Sequence, residues 1–571
     1  MRTTLTHPSE TAAASPAETA ERPWLDRYPI CVPQTLDYPA IPAWGLLART
    51  ADSHPDRIAC CYYKQRLTYA DLEQSARRTA AMLVRFGVQP GDRVGILLPN
   101  VPEYISALNG IWMAGAVAVA ISPLMVPKEV SGLMQTANCR IVIGLDLLAP
   151  LIEQGGYVPK HVVYTTLKDR LPGWQRLGYA FAKLKRLGFR PPADGPSRHS
   201  YDEELAGSDA GFEPVELPSL DEPAYLLATG GTTGSPKIVT LSHRNLVANA
   251  WQVFHWAGAR IARDKILAVL PFFHSYGLSS CLLAGTAMAA TLVMHHRFVP
   301  RIVLRLIEEH RPTAFPTVPA MLAALNDLLR CKPADLSSLQ YCVSGGAPLD
   351  SAIADEFATH CRAQIVEGFG LSEAGPVTHT GPLDGSNRPG TIGLPMPDTD
   401  ARIVDADTGG REMPPGEIGE LIVRGPQVML GYWNDPSATG EVIRGGWLFT
   451  GDLGMRDEDG FFRIVDRKKD LIITSGFNVY PTDVEHVLRE FAAVRDVAVI
   501  GVPDGGRGQL VKAMLVLEDG FAFDQQAFDA FCREHLSKQK RPRIVEIVEG
   551  DLPRNFLGKV LRRHLRTPGI K

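Results

Sequence analysis

Tyr225-Leu-Leu-Ala-Thr-Gly-Gly-Thr-Thr-Gly-Ser-Pro-Lys237 runs from an apolar, strand-like stretch into a loop of glycines and hydroxyls that ends on a lysine. Gly230, Gly231 and Gly234 let the backbone curl so that its N–H groups can converge on an anion, and Thr229, Thr232, Thr233 and Lys237 add further donors. The loop is not a Walker A loop, because Ser235 and Pro236 separate Gly234 from Lys237, and it is not GxGxxG. Taken alone, it reads equally well as a plain Gly/Thr-rich turn or as a phosphate cradle.

On both sides of this stretch, short β-branched runs alternate with amphipathic segments. Arg93–Leu98, Ala116–Ile121, Arg140–Leu145, Lys265–Leu270, Gln364–Val366 and Ala401–Val404 read as strands, and Thr68–Phe86 and Val303–His310 as helices. The alternation predicts an α/β protein with buried sheets. From Glu417 to Asp470 the texture changes to short strands with frequent Gly. Beyond Asp470, strands at Val497–Val502, Val511–Leu517 and Ile544–Val548 and a helix at Gln525–Leu536 predict a compact α+β unit. The expected organisation is a disordered leader over 1–22, a large domain over 23–467, a hinge at Lys468–Asp470 and a small domain over 471–571.

A length of 571 residues, with 45% hydrophobic and 21% charged residues, fits a soluble multidomain chain. The 59 basic and 63 acidic residues leave a net charge of −4, so no global basic field points to nucleic acid. Nine scattered cysteines with no CxxC suit a reducing cytoplasm better than a disulfide framework. Tyr104–Pro127 and Ile266–Met294 lack Asp, Glu, Lys and Arg but are interrupted by Asn, Gly, His and Pro. They are expected to be a helix plus a buried strand, with no transmembrane helix. Lys168–Gly207, basic and aromatic and then Pro-rich, is expected to be a surface insertion with one amphipathic helix; the sharper alternative is a membrane-surface or partner-binding patch.

The Gly/Thr loop heads an ordered series. Pro271-Phe-Phe-His274-Ser-Tyr-Gly277, Ser344-Gly-Gly-Ala-Pro-Leu349, Glu367-Gly-Phe-Gly-Leu-Ser-Glu373, Trp447-Leu-Phe-Thr-Gly-Asp452, Asp466-Arg-Lys-Lys-Asp470 and Leu552-Pro-Arg-Asn-Phe-Leu-Gly-Lys559 follow in that order. The set resembles the adenylate-forming superfamily and, through Pro23–Pro29 and Ile464–Pro481, is most similar to bacterial long-chain fatty acyl-CoA synthetases. The resemblance implies a large multi-sheet N-terminal domain and a small mobile C-terminal domain. It implies two half-reactions: a fatty acid and ATP give acyl-AMP and pyrophosphate, and then CoA gives the thioester and AMP. ATP, Mg²⁺ and CoA are the implied co-substrates and cofactor, with a cytoplasmic location, possible peripheral membrane contact and a possible homodimer. The rival within the superfamily loads the thiol of an acyl-carrier protein instead of CoA, and a rival of another class is a catalytically silent acyl- or nucleotide-binding protein.

Carried over by position, the resemblance implies that Thr229 and Glu373 hold the metal. Gly230, Gly231, Thr232, Thr233, Gly234 and Lys237 surround the phosphates, with Ser372 and Gly370 close by. Gly346, Ala347 and Pro348 line the adenine pocket, Phe369 stacks on the base, and Asp452 and Arg467 reach the ribose. Lys469 falls on the hinge, and Lys559 bridges the acyl carboxylate and ATP. Ser475, Gly476 and Phe477 line the pantetheine channel. His274 is either a gate to the acyl pocket or a satisfied core histidine. The acyl chain is expected against Phe272–Leu283 and Val318–Leu322. Gly230, Phe369, Ser372, Ile238 and Arg554-Asn555 depart from the Ser, Tyr, Thr, Gly and Lys-Thr usual at those positions; none removes a charge the chemistry needs.

Overall fold

The computed structural model describes residues 22–171, 176, 178, 179, 181, 197–229, 237–474, 477–504, 508–555 and 558–566. The leader, most of the insertion, Gly230, Gly231, Thr232, Thr233, Gly234, Ser475 and Gly476 lie outside the described residues. Arg22, assigned to the leader from sequence, is described and forms an ion pair with Asp400 at 2.6 Å.

The quoted stretch is a hairpin. Pro223–Ala228 and Ile238–Ser242 run antiparallel with Ala228 opposite Ile238. They belong to an eight-stranded sheet that continues through Val117–Ala120, Arg93–Leu97, Ile141–Leu145, His161–Thr165 and Ser197–Ser200, all parallel, and gains the two-residue strand Gly431–Tyr432 on its other side. Val117–Ala120 is buried at every position, which explains its unbroken apolar run.

A nine-stranded sheet places the chemistry. Ile58–Tyr62, Thr291–Met294, Lys265–Ala268, Ala314–Thr317, Tyr341–Ser344 and Gln364–Gly370 lie side by side in parallel. Four neighbouring strands therefore end at the same edge. The segments that follow them are Pro271–Gly277, the helix start Val318–Leu322, Gly345–Leu349 and Leu371–Glu373. Parallel sheets bind ligands beyond the carboxyl ends of their strands.

Between the sheets run Tyr69–Arg85, opened by a Thr68/Asp71 capping box, and His243–Trp256, opened by Ser242/Asn245. Pro102–Met113 is buried at all 12 positions, as expected of a helix that is apolar on every side. One continuous core joins these helices to both sheets. The first uncharged stretch is this helix followed by Val117–Ala120. The second is a strand, a wide π-helical turn over Gly277–Leu283 and the strand Thr291–Met294. Among the described residues no helix is long and apolar enough to cross a membrane.

Two smaller sheets follow. Asp400–Val404, Gly419–Arg424, Trp447–Arg456, Ile443–Arg444 and Phe462–Arg467 form one, and Lys468–Asp470 is a 3₁₀ turn leaving it. Phe477–Val479, Ile472–Thr474, Gly508–Leu517, Val494–Asp504 and Ile544–Ile547 form the other, in the smaller C-terminal domain. The latter packs its own core against Pro481–Arg489 and Gln525–His535.

The insertion is less superficial than its composition suggests. Arg170 pairs with Glu103 of the buried helix, and Tyr179, 7% exposed, donates to Asp146. Both anchors sink into the core, so at these points the segment is not a surface feature.

Candidate active site

The phosphate-loop hairpin is pinched at its described ends. Thr229 donates to the carbonyl of Lys237 from its backbone N–H at 2.8 Å and from its hydroxyl at 3.1 Å. Next to it, Tyr432 lies opposite Val239. The Tyr432 hydroxyl donates to Glu373 Oε1 at 2.9 Å, and its ring faces the Lys237 ammonium at 4.9 Å. Glu373 sits in the 3₁₀ turn Ser372–Ala374, and its carbonyl accepts from Met429 N–H at 2.9 Å. Ser372 Oγ is 3.3 Å from Ser275 Oγ, so the turn that carries Glu373 touches the turn that carries His274. The fold thus unites Thr229, Lys237, Ser372, Glu373 and His274 from three loops. Sequence reasoning missed Tyr432. Only its place after Gly431 and Leu430, in a stretch of short Gly-bearing strands, hinted at it.

Gly346, with φ of +80°, turns the chain after Tyr341–Ser344 and places Ala347 and Pro348 beside Gln364–Gly370. Leu349 N–H donates to Glu367 Oε2 at 3.2 Å across this groove. Burial pushes the Glu367 carboxyl up to about 7, and that hydrogen bond only partly offsets it. Phe369 and Gly370 close the same strand, and His379 meets the Phe369 ring edge-on with centroids 6.1 Å apart.

Asp452 is 3% exposed and lies opposite Arg467, whose Nε is 2.9 Å from its Oδ1. Lys468 ties the following turn back to Glu420 at 2.9 Å, and Lys469 is the next residue of that turn. From the small domain, Lys559 comes within electrostatic range of this carboxylate. Its ammonium is pushed down to about 8, first by burial and next by Arg467, with Asp452 opposing. The loop that delivers it is braced locally. Lys559 N–H donates to Asn555 Oδ1 at 2.9 Å, and Arg554 donates to the Gly558 carbonyl and pairs with Asp496. The unusual Arg554-Asn555 pair thus supports the lysine. A Cβ at Gly558, whose φ is +82°, would lie 3.0 Å from Ala320 Cβ, so the loop tip is seated on the large domain.

Of the segments expected to face the acyl chain, Phe272 and Leu278 to Leu283 are buried, as are Val318 and Leu322. Asn100 clamps this loop, donating to the carbonyls of Ala268 and Leu270 and accepting from Phe272 N–H. Tyr276 donates to Val343 O at 2.8 Å, with Gly345 giving its ring room. Burial lowers His274 to about 4, and its Nδ1 accepts from Tyr276 N–H at 3.3 Å, so the ring is neutral. Phe477 is exposed on the strand Phe477–Val479.

Thr229 and Glu373, the residues expected to hold a metal, offer hydroxyl and carboxylate oxygens. That hard donor set suits Mg²⁺ accompanied by phosphate oxygens and water. Among the described residues no group of three or more His, Cys, Asp or Glu side chains is arranged to hold a metal ion. A shared site completed by ATP fits this chain better than a closed protein cage.

Comparison with known proteins agrees with this geometry. Residues 47–433 match the AMP-binding enzyme family and residues 483–559 its C-terminal domain. A long-chain-fatty-acid–CoA ligase of Bacillus subtilis is 38% identical over 554 residues, covering 96% of this chain and 98% of the relative. One from Salmonella typhimurium is 36% identical, covering 95% and 97%. Among solved structures, ATP-bound MatB from Rhodopseudomonas palustris superposes with a TM-score of 0.78 at 29% identity, covering 92% of this chain and 98% of that one. With its motif loops gathered at one sheet edge and a small C-terminal domain seated over them, this chain belongs to the AMP-binding enzyme family.

Proposed function

We infer that the protein is an AMP-forming acid–thiol ligase that converts a medium- or long-chain fatty acid to its acyl-AMP and then to acyl-CoA, releasing AMP and pyrophosphate. The observation that carries the reaction is the small domain's Lys559 set among Arg467 and Asp452. The acid and the CoA acceptor follow from the near-full-length relatives, long-chain-fatty-acid–CoA ligases. In this reading Mg²⁺, held by Thr229 and Glu373, offsets the repulsion between ATP and the fatty carboxylate. Asp452 accepts from the ribose hydroxyls with Arg467 beside it, Phe369 stacks on adenine, and the loop 346–348 borders the base. Lys237 and the loop 230–234 surround the phosphates. The turn Lys468–Asp470 is the hinge between a domain over 23–467 and one over 471–571. Phe477, with the segment 475–476, meets the pantetheine arm after rotation.

Measuring pyrophosphate release over a panel of acids, with CoA or acyl-carrier protein as acceptor, tests the assignment. Each methylene buried against Phe272–Leu283 and Val318–Leu322 is worth about 0.8 kcal/mol. A long-chain acid should therefore exceed acetate by orders of magnitude in kcat/KM. Acetate or benzoate as the best acid would refute the fatty-acid reading.

The depressed Lys559 ammonium gives a pH signature. The protonated form is the one that can contact two anions. In the free enzyme it is lost as pH rises through about 8. kcat/KM of adenylation should then descend above that pH, about tenfold per unit. Thioester formation from supplied acyl-AMP should lack this limb, and Lys559→Arg should move it out of the accessible range, because guanidinium stays charged. An identical alkaline limb in both half-reactions would remove the ammonium from the mechanism.

We place the enzyme in the cytoplasm, in keeping with its nine free cysteines. The basic, aromatic segment 168–190 supports peripheral contact with the membrane that holds its substrate, which vesicle flotation tests. Light scattering tests for the homodimer.

A further inference from the structure

Tyr432 belongs to none of the motif loops, yet it touches two of them. It stands on a strand of two residues, Gly431–Tyr432, hydrogen-bonded to the strand that leaves the phosphate loop. Its backbone is fixed on the other side, where its N–H donates to Thr439 Oγ1 at 2.8 Å. A side chain at 431 is excluded, since a Cβ there would press on Thr439 at 2.7 Å with φ of +147°. The residue is 9% exposed, so its ring has little freedom. From this seat the hydroxyl donates to Glu373 Oε1 at 2.9 Å while the ring face lies 4.9 Å from the Lys237 ammonium.

We propose that Tyr432 is a positioning residue that couples the two charged partners of Mg·ATP: its hydroxyl aims the Glu373 carboxylate at the metal, and its ring holds Lys237 at the phosphates. The inference rests on the metal-holding role of Glu373. One carboxylate oxygen occupied by the phenol leaves Oε2 for the ion and fixes the plane of the group. The hydroxyl is the donor of this pair, since a carboxylate only accepts and a phenol ordinarily keeps its proton at neutral pH. Among the described residues Lys237 forms one ion pair, with Glu441 at 3.7 Å, whose side chain is 68% exposed; such a pair is a weak restraint. A π-face restrains the ammonium while leaving its N–H donors for phosphate oxygens.

Calorimetric binding of α,β-methylene-ATP to the full-length enzyme, in Mg²⁺ and in EDTA, separates the two contacts. Tyr432→Phe keeps the ring and loses the hydroxyl. It should weaken binding roughly tenfold in Mg²⁺, the scale of a lost hydrogen bond to a charged group, and not in EDTA. On a Glu373→Gln background the same change should have no effect in either series. Tyr432→Leu, which also removes the ring, should weaken binding in EDTA as well. Tyr432→Phe that weakens both series equally, or neither, overturns the coupling while leaving the role of Glu373 intact. If Glu373→Gln alone preserves the gain in affinity from Mg²⁺, the metal assignment fails and the coupling with it. Equal melting temperatures for wild type and Tyr432→Phe are expected, and a large fall would make the tyrosine a structural residue and overturn the proposal.

Discussion

Lys559→Ala should lower acyl-AMP formation from ATP and fatty acid by about 10²–10³-fold, the usual effect of removing a preorganised donor at a site of developing charge. The same variant, supplied with synthetic acyl-AMP and CoA, should form acyl-CoA near the wild-type rate. The asymmetry follows from where the lysine sits. Its loop tip rests against Ala320, and its ammonium lies among Arg467 and Asp452, so its position is a property of the docked domain. In adenylation two anions must approach each other, and a cation between them stabilises the transition state more than the ground state. Once pyrophosphate has left, that crowding is gone. Separate assays of the half-reactions decide it. Wild-type adenylation in the variant would overturn the role, and equal loss in both steps would make Lys559 structural.

Lys469→Pro should give the opposite split. The 3₁₀ turn Lys468–Asp470 connects Phe462–Arg467 to Ile472–Thr474, and Leu471 N–H closes back on Arg467 O at 3.1 Å. Proline fixes φ and removes a backbone donor, so a turn that on the proposed hinge role adopts two conformations would keep one. Adenylation should survive in the docked arrangement, while acyl transfer to CoA should fall roughly 10²-fold, since a misplaced acceptor channel has an effect of that order. If the proposed motion occurs, the exposed Phe477 should become protected from solvent only after acyl-AMP forms. Equal loss of both half-reactions with an unchanged melting curve would refute the hinge.

Much of this was legible in the sequence for a simple reason. A strand buried on both faces must be apolar throughout, so Arg93–Leu97, Val117–Ala120 and Ile141–Leu145 showed themselves within one or two residues of their observed bounds. The motifs were legible because glycines, hydroxyls and charges in tight order have few structural uses. What escaped was whatever depends on pairing between distant strands. The partner of Glu373 is Tyr432, and nothing local marks a tyrosine whose strand has two residues. The phosphate loop proved to join two antiparallel strands, because the strand signal in Ile238–Ser242 is only five residues long. The widened turn Gly277–Leu283 cannot be told from an ordinary helix by apolar periodicity. The buried anchors of the basic insertion escaped for a related reason: composition marks a segment as surface-like and says nothing of an arginine in it that turns inward, Arg170.

That arginine limits how far the enzyme can be treated as modular. Glu103 lies on a helix enclosed on every side, and Arg170, from the variable-looking insertion, is its counter-charge. Excising the insertion, or grafting in that of a relative, would strand a carboxylate in the common interior of both large sheets. A loss of that kind typically costs about 3–5 kcal/mol, a large share of what holds a domain folded. Through Arg170 the segment is therefore a keystone of the interior. A chimera that exchanges it has to carry the arginine along, or replace the glutamate with an apolar residue of similar bulk.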